Sequence, residues 1–99
     1  MIQVSKLAAE KIKEVITKQE HPDETMVRVF FGGYGWGGPR LQLTLDGSKE
    51  DNDILQESEG IKVVFNADIE HMVQNAHIDF SQGIFGRGFE IKGPNTSNC

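Results

Sequence analysis

Residues 31–39 read FGGYGWGGP, five glycines in nine residues around one tyrosine and one tryptophan. The architecture depends on what this stretch is. Taken literally, Gly33, Gly35 and Gly38 fit the spacing G-x-G-x-x-G, and Asp53 lies about twenty residues beyond the first of them, as in a dinucleotide-binding fingerprint. That fingerprint needs a strand before it and a helix opening on its last glycine, so that the helix N-terminus faces the pyrophosphate. The strand is present as MVRVFF, residues 26–31, rich in β-branched and aromatic side chains. The helix is not. Pro39 leads into RLQLTLD, where Leu41, Leu43 and Leu45 alternate with Gln42 and Thr44, a period of two that specifies a strand. The stretch therefore reads as a loop between two antiparallel strands, with Tyr34 and Trp36 covering one edge of the core. Five glycines exceed what a turn requires. A surplus means either slack or a backbone approached closely by something else.

On the N-terminal side, Ser5 is placed to cap a helix over residues 5–19. Leu7, Ala8, Ile12, Val15 and Ile16 recur at helical spacing, with Lys6, Glu10, Lys11, Lys13 and Glu14 mostly on the wet side. HPDET, residues 21–25, ends it, since Pro22 disfavours helix at the residue before it. On the C-terminal side, DGSKEDND (46–53) is an acidic turn without the glycine and glutamate register of an EF-hand, so a solvated loop is the better reading. ILQES and IKVVFN are strands joined at Glu59-Gly60, a hairpin turn. ADIEHMVQ is a short helix, HIDFS a strand, QGIFGRG a glycine-rich connection, and FEIK a last strand with Phe89 and Ile91 inward. Residues 93–99, GPNTSNC, lack periodicity and read as a flexible tail. One helix followed by many short strands predicts a single β-rich domain over residues 1–99.

The chain has 99 residues, a formal charge of −5 and one cysteine, Cys99. The size allows one modest core. The acidic balance argues against nucleic acid, whose backbone is bound by clustered Lys and Arg. No apolar run reaches the ~18 residues of a membrane span, and the N-terminus lacks signal-peptide features. A lone cysteine allows no intrachain disulfide, and a reducing cytoplasm is the default location.

Several segments in order carry a resemblance. Ser5, Gly32-Gly33, residues 60–66 (GIKVVFN), Ile78-Asp79-Phe80, residues 86–89 (GRGF) and Gly93-Pro94-Asn95 resemble the A-type iron–sulfur carrier family, the HesB/IscA-like domain. The resemblance implies a mainly β, compact HesB-like domain of short mixed strands with one N-terminal helix packed on the sheet. It also implies a homodimer or larger homo-oligomer that places cysteines near an interface to hold iron or an iron–sulfur cluster, with partners in cluster assembly. The family pattern has a cysteine after Gly-Gly and a Cys-Gly-Cys after Pro-Asn. Here Tyr34 comes after Gly-Gly, and the chain reaches Cys99 and no further cysteine.

A [2Fe–2S] cluster takes four thiolates, or two thiolates and two imidazoles. Two copies of this chain offer two thiols. The resemblance implies Cys99 as the metal ligand, and Tyr34, whose phenolate can ligate iron, is the second candidate cofactor contact; Gly33, Gly35 and Trp36 are possible loop contacts. His71 and His77 offer imidazoles, but His71 sits on a predicted solvent-facing helix, and His77 opens a strand with no second ligand at metal-site spacing. Two functions stay open. One is a carrier-type protein of iron–sulfur assembly with an incomplete cysteine site. The other is a module that binds no cluster and uses the Tyr34/Trp36 loop to contact a protein partner, since Tyr and Trp favour such contacts. No Ser/His/Asp or Cys/His set supports an enzyme.

Overall fold

The computed structural model describes residues 2–35, 38–83 and 86–92. Among these residues seven strands and two helices follow in the order β1 (Gln3–Val4), α1 (Lys6–Thr17), β2 (Met26–Gly35), β3 (Gly38–Asp46), β4 (Asp53–Ser58), β5 (Ile61–Asn66), α2 (Glu70–Val73), β6 (His77–Gly83) and β7 (Gly86–Lys92). Short 3₁₀ turns occupy Pro22–Glu24 and Ala67–Ile69. The strands make a four-stranded sheet in the order β3-β2-β5-β4 and a three-stranded sheet in the order β1-β6-β7. Pairing is mixed, because β2 runs parallel to β5 and β1 parallel to β6 while the hairpin pairs are antiparallel. The short mixed strands and the N-terminal helix are as the sequence indicates.

Helix α1 begins where its side chains dictate. Ser5 Oγ accepts from the Ala8 backbone N–H at 3.1 Å, and its own hydroxyl donates to Asp79 Oδ1 at 2.8 Å. One serine thus satisfies a helix terminus and ties it to β6. The helix is shorter than residues 5–19. Lys18 N–H bonds to Val15 O and Gln19 N–H to Ile16 O, so the last turn tightens to three-residue spacing and stops. The buried face is also shifted. Ala8, Ala9 and Ile12 are buried and Ile16 packs partly against the core, whereas Leu7 and Val15, expected inside, are 44% and 38% exposed. At ~100° per residue, Ala8, Ala9, Ile12 and Ile16 fill one arc, and the small alanines bring the helix backbone close. Leu7 and Val15 are left on its flank.

The core lies between the two sheets and α1, built from Ile2, Val4, Val27, Val29, Leu41, Ile61, Val63, Phe65, Val73, Ala76 and Ile78 with the helix residues. Residue 2 is wholly inside. Gln56 clamps it from β4: the side-chain carbonyl accepts from Ile2 N–H at 3.3 Å and the amide donates to Ile2 O at 2.7 Å, while Ser58 Oγ accepts from Val4 N–H. The first strand is therefore held by β6 on one edge and by β4 side chains on the other. The β4–β5 connection is a two-residue turn, with Glu59 at φ 53° and Gly60 at φ 79°. Both left-handed values are those of the type I′ hairpin turn, which matches the twist of its strands.

Across the four-stranded sheet, Arg28 shares the face opposite the core with Val64, its register partner, which is fully buried. The guanidinium reaches Asp46 at 2.6 Å, both oxygens of Asp53 at 3.0 and 2.6 Å, and Ser48 O at 3.3 Å. The acidic connection between β3 and β4 is exposed along residues 47–52, as a solvated loop would be. Its two ends, however, are gathered on Arg28. Hydrogen bonds from Arg28 and then from the Glu50 backbone hold the Asp53 carboxyl down to about 2, and Arg28 followed by Ser48 lowers Asp46. No helix among the described residues is long and apolar enough to cross a membrane.

Candidate functional site: the end of the β2–β3 hairpin

The glycine-rich stretch is a hairpin rather than a separate loop. Strand β2 continues to Gly35 and β3 resumes at Gly38, with Tyr34 opposite Pro39 and Gly35 opposite Gly38. No helix opens on Gly38, so the geometry of a dinucleotide cradle is missing. The ladder shifts between Phe31, opposite Leu41, and Tyr34, opposite Pro39. Three steps on β2 match two on β3, so β2 carries one extra residue, a β-bulge. Gly33, at φ +100°, supplies the backbone turn that a residue with a Cβ resists. Gly32 answers to the other reading of surplus glycine, a close approach. A Cβ there would lie 2.6 Å from the Gln42 side chain across the ladder.

The bulge decides where residue 34 points. Strict alternation would put residues 31 and 34 on opposite faces. The extra residue instead aligns Tyr34 with Phe31, on the face of Leu41. The ring meets Phe31 edge-on, centroids 5.2 Å apart at 74°, a favoured aromatic geometry. The expectation that Tyr34 covers the core edge fails. The side chain is 78% exposed, because the hairpin carries it beyond the buried Leu41 on β3. Leu43 packs partly on the core and Leu45, at the far strand end, is 36% exposed.

The second hairpin, β6–β7, is longer than HIDFS and FEIK, because Gly83 pairs with Gly86 and Gln82 with Arg87. Ile91 packs against the core as expected, and Ile78 opposite it is buried there. Phe89, expected inside, is 38% exposed and stacks edge-on against Phe80, centroids 5.0 Å apart. Lys11 reaches over Phe80 from α1, 5.8 Å from the ring centre.

The two candidate histidines lie on separate elements. His71 lies on α2 and His77 opens β6, both exposed. Among the described residues no group of three or more His, Cys, Asp or Glu is placed to hold a metal. Trp36, Cys99 and the rest of 93–99 lie outside the described residues. Gly33, Gly35 and Tyr34 share the hairpin end. Sequence reasoning missed the Arg28 clasp, although a lone arginine inside an apolar strand, with aspartates bounding the next turn, was a signal for it. It also passed over the Ser5–Asp79 tie, which joins two segments of the resemblance.

Among the described residues the donors do not make up the thiolate set of a [2Fe–2S] cluster. The residue after Gly-Gly offers a phenol, a hard oxygen donor, where such clusters select soft thiolates. The whole sequence contributes one thiol.

No family model matches the chain. Its sequence is 36% identical over 93 residues to the iron–sulfur cluster insertion protein ErpA of Halorhodospira halophila, covering 93% of this chain and 75% of that protein. The structure superposes on Escherichia coli SufA, a protein involved in iron–sulfur cluster biosynthesis, with a TM-score of 0.80 at 23% identity, over 98% of this chain and 83% of that one. IscA with its [2Fe–2S] cluster gives 0.76 at 18% identity, over 96% and 84%. At those identities the superpositions establish the fold, and the ErpA match carries the relationship. The chain belongs to the HesB/IscA/ErpA family of A-type iron–sulfur carriers, a family of carrier and insertion proteins rather than enzymes, and it does so with a single cysteine.

Proposed function

We propose that this chain, acting as one domain over residues 1–99, serves iron–sulfur cluster assembly in the cytoplasm with an incomplete cysteine site. Iron or an iron–sulfur cluster is its cargo. Cys99 is the thiolate it contributes, and the hairpin end with Gly33, Tyr34, Gly35 and Trp36 is the surface beside which cargo or partner is met. It works as a homodimer or larger oligomer, or beside another protein of cluster assembly. The observation that carries this reading is the β2–β3 hairpin itself. It sets both glycines of the resemblance, Gly32 and Gly33, at a bulge, with Tyr34 as the next residue.

The exposure of Tyr34 favours a second reading, a cluster-free module that contacts a protein partner through this ring. Deleting the gene in its host separates the two classes of role. A part in cluster supply predicts lower activity of iron–sulfur enzymes in extracts, with cluster-free enzymes unchanged. Unaltered iron–sulfur enzyme activity under iron limitation would contradict it.

A further inference from the structure

Resting on the reading of the hairpin end as the surface for cargo or partner, we propose that Gln42, outside the glycine stretch, is its positioning residue. Gln42 stands opposite Phe30, one step before Phe31 and Leu41, the last regular pair ahead of the bulge. Its side chain leans past that pair. The place a Cβ of residue 32 would take lies 2.7 Å from Gln42 Cγ, 2.6 Å from Cδ and 2.8 Å from Nε2. Gln42 thus fills the position of the side chain that Gly32 lacks, with its amide against bare backbone. The other bulged residue has no such hold. Gly33, at φ +100°, meets no described atom within 4 Å of its Cβ position, so it supplies the turn and Gln42 supplies the grip.

The bulged segment is packed from both faces. Gln42 lies on Gly32 from the face turned away from the core, and the Tyr34 ring meets Phe31 on the other. The competing arrangement is a regular ladder. Removing the extra residue from the register turns residue 34 to the opposite face, where the ring leaves Phe31 and joins Phe30 and Gln42. The facing of the residue after Gly-Gly is therefore set from the neighbouring strand.

Solution NMR tests this through nuclear Overhauser contacts between the rings of Tyr34 and Phe31, which the wild type should show. Gln42→Ala should lose them while its Tm stays within about 4 °C of wild type, the scale of an exposed substitution. Gln42→Met should keep them, because an unbranched side chain of similar length still covers Gly32. Gly32→Ala, whose methyl displaces the Gln42 amide, should behave like Gln42→Ala, and the double variant should be no worse than either. In the deletion strain, Gln42→Met should restore iron–sulfur enzyme activity and Gln42→Ala should not. Ring contacts that persist in Gln42→Ala, or that vanish equally in Gln42→Met, would overturn the proposal. Gln42→Ala restoring the enzymes as well as wild type would also overturn it and leave the carrier role standing. A deletion strain with unaltered enzymes would overturn the carrier reading, whereas the ring contacts alone decide whether Gln42 sets the hairpin end.

Discussion

Replacing Tyr34 with cysteine restores the donor that the hairpin lacks, and the structure fixes what this should do to fold and to ligand number. The ring is 78% exposed and, among the described residues, its aromatic contact is Phe31 at 5.2 Å. Such a pair contributes about 0.5–1.5 kcal/mol beyond its buried area. The loss should therefore stay near 1 kcal/mol, a fall of roughly 4–8 °C in Tm for a domain of this size. The bulge and Gly33 remain, so the thiol takes the place of the phenol on the same face. Two copies of Tyr34→Cys carry four thiols in place of two. After anaerobic reconstitution with ferric iron and sulfide, the variant should turn brown with thiolate-to-iron charge-transfer absorption, and the wild type should stay pale. Iron and acid-labile sulfide should rise together to about two of each per pair. A strongly coloured wild type whose colour persists in Cys99→Ser would refute both the ligand assignment and the thiol count.

Ile78→Ala, at a position with no exposure, should cost about 2–5 kcal/mol in urea unfolding. Ser5→Ala removes both the helix cap and the tie to Asp79 and should cost about 0.5–2 kcal/mol, with Ser5→Thr recovering most of it. Glu59→Asn gives the type I′ turn its preferred Asn-Gly pair and relieves a left-handed residue; it should stabilise by up to about 1 kcal/mol, and a lower Tm would contradict the turn assignment. The Asp53 carboxyl is held near 2 in the folded chain against an ordinary 3.8. Its contribution is thus complete above about pH 4 and lost as pH falls through about 2. Arg28→Met should be much less stable than wild type at pH 6, and the gap in urea midpoint should narrow towards pH 2.

Much of the fold was legible because its signals are local. Leucine alternation after Pro39 made residues 40–46 a strand, which alone ruled out a nucleotide cradle. Ser5, the Glu59-Gly60 turn and the β4–β5 pair were equally readable. Failures came where tertiary geometry intervenes. Helical spacing could not tell that Ala8 and Ala9 would seat the helix and leave Leu7 and Val15 on its flank. Nothing in the composition of residues 31–39 announces a bulge, so Tyr34 was placed over the core instead of beyond it. The same holds for Phe89, which alternation alone sends inward although its hairpin outruns the core. Arg28 was read only as one residue of a strand, because its partners lie 18 and 25 residues away. For the candidate site, the order of motifs exposed the family and the cysteine count exposed the deficit. The orientation of the hairpin end needed coordinates.

The central claim is that a carrier fold persists here without a complete thiolate site of its own. Native mass spectrometry with iron and acid-labile sulfide analysis tests it most directly, on wild-type protein made in iron-replete cells and purified anaerobically without added partner. The account predicts protein of apo mass, with iron and sulfide far below one cluster per pair. A wild-type pair isolated with two irons and two sulfides would contradict it.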